Sequence, residues 1–174
     1  MRFALLAAAA VLLPVPTGVT AQPREYSVEE IAGDLAYGFC PLFLAGSFPL
    51  DSPQLAERGF APAVQTQQNA RFGPVATVTA KRADGEITFG GVAGKFCTVV
   101  VAGGRRTEAL ARLREAMSWS GLDFKPAAQK GPTLPGVAAE TFKAPVEGQM
   151  LNLQLVQLSG PTPAVTAQLF VTAD

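Results

Sequence analysis

The first regular pattern in the chain is helical. In "YSVEEIAGDLAYGF" the apolar residues Val28, Ile31, Leu35 and Phe39 fall on one face. Ser27 and Glu30 stand in capping-box relation, with Tyr26 and Ile31 placed as a hydrophobic staple, so the helix is predicted to begin at this serine. Pro41 has no amide proton and is expected to kink or end it near Cys40. Residues 45–73 are rich in Pro, Gly and Gln and read as a long irregular connection. It carries one short helix, capped by Ser52, opened by Pro53 and stopped by Gly59.

The period then changes from helical to alternating. "PVATVTAK" and "EITFGG" are strand-like, with Asp84-Gly85 as the hairpin turn between them, and "KFCTVVVA" is apolar and β-branched enough for a strand covered on both faces. In "TEALARLREAMSWSG" helical spacing returns: Leu110, Leu113 and Met117 share a face, Glu108 is placed to pair with Arg112, and Gly121 is the stop. Trp119 is expected to pack on the sheet. "GVAAETFKA", "QMLNLQLVQL" and "AVTAQLFVTA" are again strands. The second slips out of alternation at Val156, which predicts a bulge, and the third keeps Val165, Ala167, Leu169 and Val171 on one face. The order helix-βββ-helix-βββ predicts an α+β domain, an antiparallel sheet of five to six strands with two main helices on one side.

Ahead of the first helix, Arg2 is followed by eleven unbroken apolar residues from Phe3 to Leu13, then Pro14, Pro16 and a small-residue site ending at Ala21. This is the pattern of a secretory signal peptide over residues 1–21. The run is well short of the ~20 residues that cross a bilayer, so a membrane-spanning protein is not expected. Residues 22–174 are left as a single domain in the periplasm or outside the cell. Its charge is near balance, with 14 basic and 14 acidic residues in the whole chain, which argues against nucleic acid as a partner.

Export changes the meaning of the two cysteines, Cys40 and Cys97. In an oxidising compartment such a pair is expected as a structural disulfide, here closing a long loop. The chain has no histidine. That removes the Ser-His-Asp and Cys-His triads, and two cysteines alone do not make a zinc site. "GGVAGKF" lacks the spacing and the Ser or Thr of a phosphate-binding loop. Neither a metal nor a cofactor is expected.

A helix carrying Cys40, a short strand carrying Cys97 after Gly94, an amphipathic helix and a final hairpin resemble small exported proteins of alphaproteobacteria. The resemblance implies no activity and carries over no catalytic residue.

Three functional readings follow. The preferred one is a non-catalytic binding or interaction module, contacting its partner through the sheet face or a basic edge. At that edge Lys81, Arg82, Arg105 and Arg106 gather beside the start of the second helix as an anion-binding corner for an anionic envelope component or another envelope protein. Another is a carboxylate-dependent hydrolase built on Glu30 and Asp34, four apart on one helix face. Ser118 and Ser120 beside Trp119 lack a base. The last is a periplasmic enzyme inhibitor that contacts its target through the 45–73 connection.

Overall fold

The capping box forms as the sequence predicts. In the computed structural model, which describes residues 25–129 and 134–173, the Glu30 amide donates to the Ser27 hydroxyl and the Glu30 carboxylate accepts from the Ser27 amide at 3.0 Å. The expected signal peptide lies outside the described residues. Helix α1 (Val28–Asp34) runs into one π-helical turn, Leu35–Phe39, and then into α2 (Cys40–Leu44). Of the two outcomes expected at Pro41, a kink or an end, the end does not occur. The wide turn closes with the Cys40 amide on the Leu35 carbonyl and restarts the helix, so Pro41 falls in a first turn, where no amide is needed. A short α3 (Pro53–Glu57) is capped by Ser52, and Gly59 follows it at φ 84°.

The sheet is larger than predicted. Eight strands, not five or six, lie in the order β1-β2-β3-β4-β8-β7-β6-β5, every neighbouring pair antiparallel. They are β1 (Gln65–Asn69), β2 (Gly73–Arg82), β3 (Gly85–Val92), β4 (Phe96–Ala102), β5 (Lys125–Ala127), β6 (Val137–Val146), β7 (Gln149–Leu158) and β8 (Ala164–Ala173). The two unpredicted strands are the sheet's edges. β1 lies inside the 45–73 connection read as irregular; its "QTQQN" has no apolar residue and is exposed throughout, so it shows no period and is held by its main-chain ladder to β2. β5 has three residues, one of them Pro126, which only an edge tolerates.

Each half of the chain is a four-strand meander, and the two meet where β4 pairs with β8 at the centre. Helix α4 (Arg106–Trp119) connects them and packs against α1. All the helical contacts fall on one face. There Cys97, Val99 and Val101 of β4, Val165, Ala167 and Leu169 of β8, and Leu151, Leu153 and Leu155 of β7 are buried with Ile31, Leu35 and Leu113. The expected disulfide is present: Cys40 on α2 is bonded to Cys97 on β4, Cα atoms 5.6 Å apart and 57 residues apart in sequence, so it pins the leading helix to the middle of the sheet.

Three smaller expectations are corrected. β7 and β8 pair without interruption from Gln149–Ala173 to Leu158–Ala164, so Val156 marks no bulge; it is an apolar residue on the outer face. Trp119 does not pack on the sheet. It is 63% exposed, with the Arg112 guanidinium 4.8 Å from its ring centroid. Arg112 itself pairs with Glu115 at 3.0 Å, one turn onward, and not with Glu108.

Candidate functional site

Because side chains alternate across a strand, the residues between the buried ones face away from the helices. Register aligns them in rows across the sheet. One row runs through Gln65, Thr77, Gly90, Thr98, Gln168, Gln154 and Thr141, each directly opposite the next on the neighbouring strand. Seven strands therefore contribute hydroxyls, carboxamides and one glycine, and no charge. Mixed rows flank it. On one side lie Val75, Val92, Phe96 and Phe170, with Gln67 at one end and Asn152 and Lys143 at the other; on the other side, Val100 and Val156 alternate with Thr88 and Thr166.

The row sits in a recess. A cleft of about 500 Å³ lies over β1, β2, β3, β4 and β8, and another of about 420 Å³ over β6, β7 and β8; no helical residue lines either. Gln168 lines the first and Gln154 the second, so the clefts meet at that cross-strand pair. Although no helix covers it, Thr98 is only 8% exposed and Thr166 only 6%. At one end Phe72 stacks on Phe96 with ring centroids 4.3 Å apart, and Arg71 lies 4.8 Å from the Phe170 ring, forming a lip.

Among the described residues, the side chains of Thr77, Thr98, Gln154 and Gln168 make no hydrogen bond to the protein, and the buried Thr141 hydroxyl has no partner either. Neighbouring polar groups differ. Thr79 and Thr88 bond to each other at 3.0 Å, and the Asn152 amide donates to the Met150 carbonyl and the Thr172 hydroxyl, both at 3.1 Å. The row thus carries unspent hydrogen-bonding capacity.

The residues singled out by sequence lie elsewhere. The strand register does bring the ends of the first meander together, but the four cations there are engaged. Arg82 donates to the Tyr26 carbonyl at 2.6 Å and pairs with Asp84 at 3.4 Å and Glu25 at 3.6 Å. Lys81 reaches Glu86 at 4.0 Å, Arg105 is bonded to Glu29, and Arg106 donates to the Gly103 carbonyl at 3.0 Å. The Glu29 hydrogen bond and charge hold the Arg105 guanidinium above its usual pKa. Four carboxylates therefore offset most of the field of the corner. Glu30 is spent on the helix cap, while Asp34 pairs with Arg58 at 3.4 Å in a separate groove beside Trp119, so the two carboxylates serve different partners. No group of three Cys, Asp or Glu residues arranged to hold a metal occurs among the described residues.

Sequence reading pointed to the sheet face in general and missed this row. Its members come from seven strands spread between positions 65 and 168, and only register aligns them. The one local sign was the run of Thr and Gln at the outward positions of otherwise apolar strands. Compared with known proteins, the chain matches no family model, and neither a curated protein nor a solved structure is significantly similar to it.

Proposed function

We propose that this chain is an exported, non-catalytic binding module that holds an uncharged polar ligand of the cell envelope on the helix-free face of its sheet. The observation that carries the reading is the recessed row of neutral donors and acceptors without protein partners. Thr77, Gln154 and Gln168 are half-exposed and open to a ligand in place of water, and the Thr141 hydroxyl is withdrawn from bulk water without a partner, a cost of about 1–3 kcal/mol that a ligand would recover. The leader and the disulfide fit an oxidising compartment. Hydrolysis is not favoured, because a catalytic carboxylate must reach the proton it moves, and Glu30 and Asp34 are each held by other groups.

The test is retention of the oxidised protein on washed envelope material, comparing wild type with Thr77→Arg and Gln168→Arg, which fill the cleft with half-exposed positions on the outer face. Retention is expected to fall at least tenfold in both while thermal unfolding stays native-like. Undiminished retention would overturn the reading, as would turnover of generic hydrolase substrates that disappears in Asp34→Asn.

A further inference from the structure

The chemistry of the recess narrows the ligand further. We infer that the row takes a neutral oligosaccharide, laid across the strands; this rests on the reading of the helix-free face as the contact surface.

The first argument is the type of hydrogen-bonding group. Hydroxyls and carboxamides both donate and accept, and so do the hydroxyls of a sugar. Acidic polymers and nucleic acids are recognised instead by Arg and Lys, and the row has neither. Charged residues line the clefts outside the row: Glu86, paired with Lys81, in the first, and Arg71 and Lys143 in the second.

The second argument is the flanking rows. A pyranose ring is amphipathic, with C–H faces and a hydroxylated rim. The half-buried Val100 and Val156 beside the row offer apolar contact to the faces while the row offers hydrogen bonds to the rim; on its other side Phe96 and Phe170 are buried beneath Phe72 and Arg71 and wall the recess. A lipid chain would leave the row's polar groups unbonded. An extended peptide seeks main-chain partners at a sheet edge, not side chains on its face.

The third is extent. Seven strands at about 4.8 Å spacing make the row roughly 29 Å long, which suits a short linear polymer better than a single small molecule. Gly90 supplies no side chain, so the floor is lowest between Thr77 and Thr98. At the far end the Thr141 hydroxyl is buried without a partner, opposite Gln154. A ligand running from the first cleft into the second would pass all of these groups.

The experiment is an amide chemical-shift titration of the full mature chain, disulfide intact, with hexasaccharides of α- and β-linked glucose and of N-acetylglucosamine. A heparin hexasaccharide is the charged control. At least one neutral sugar is expected to shift Thr77, Thr98, Gln168 and Gln154 by about 10 mM, where even a millimolar site is filled. The double variant Gln154→Leu/Gln168→Leu should then bind at least tenfold more weakly with the remaining spectrum unchanged. Should that variant lose its fold, Thr77→Val, on a half-exposed position, gives the same comparison. The inference is overturned if no neutral hexasaccharide moves these amides, if heparin moves them and the neutral sugars do not, or if the variants bind as wild type does. Loss of envelope retention in Thr77→Arg together with silence toward neutral sugars would sink the glycan assignment and leave the binding face standing. Undiminished retention in that variant would remove the binding face itself.

Discussion

Gly90 and Gly91 show how a single position constrains the sheet. Their φ values of 152° and 150° are ones that residues with a side chain rarely adopt, and a Cβ on Gly90 would come 2.1 Å from the Ala76 carbonyl oxygen, one on Gly91 1.9 Å from that of Phe96. Both clashes are with backbone, which has no room to yield. Gly90→Ala is therefore expected to cost about 3 kcal/mol or more in urea unfolding, and an unchanged midpoint would contradict the geometry. Tyr37 is constrained differently. Its hydroxyl donates to the Leu113 carbonyl at 2.8 Å and ties the π-helical turn to α4, and burial pushes its pKa above the usual 10.0. The unfolded chain loses this proton first, so its contribution is complete below about pH 10 and declines as the pH rises further, by up to about 1.4 kcal/mol per unit. Tyr37→Phe should remove that part of the alkaline slope and cost about 1 kcal/mol at neutral pH. Equal slopes for the two proteins above pH 10 would refute this.

At the scale of elements, starts were legible and interruptions were not. A capping box is local chemistry: Ser27 and Glu30 bond each other's amides within one turn, whatever the rest of the chain does. Ser27→Ala should cost about 1 kcal/mol, seen as a fall of roughly 2–4 °C in melting temperature. The π-helical turn has no such signature. It reconciles Pro41 with a helix that must continue far enough to bring Cys40 over β4, a demand set by packing. The central strands were found because one face is buried and alternation reports it. The edges β1 and β5 bury little and so leave little trace in composition.

For the whole molecule, the disulfide and the β4–β8 pairing are two of the connections between distant parts. Replacing both Cys40 and Cys97 by Ala releases a 57-residue loop, which the chain-entropy account values at about 4 kcal/mol; a fall in melting temperature on the order of 10 °C is expected in a thermal melt without reductant. A fall of only a degree or two would mean the helix is held by packing alone. Native-state hydrogen exchange should be slowest in β4 and β8, which have a partner on each side and a buried inner face, and fastest in the edge strands β1 and β5. Faster exchange at the β4–β8 pairing than within either meander would show the halves opening separately.

By itself the sequence determined the features that rest on near neighbours or on composition: the cap at Ser27, the apolar faces of α1 and α4, the central strands, the α+β class, and the pairing of the only two cysteines. Tertiary structure decided the rest: eight strands, two meanders joined through their last strands, Trp119 on the surface, the cations at the meander end matched by carboxylates, and the uncharged row across seven strands. The reason is register. Which outward side chain stands beside which is fixed by the buried face, whose packing allows each strand one alignment, since a slip of one residue would turn its apolar side to water.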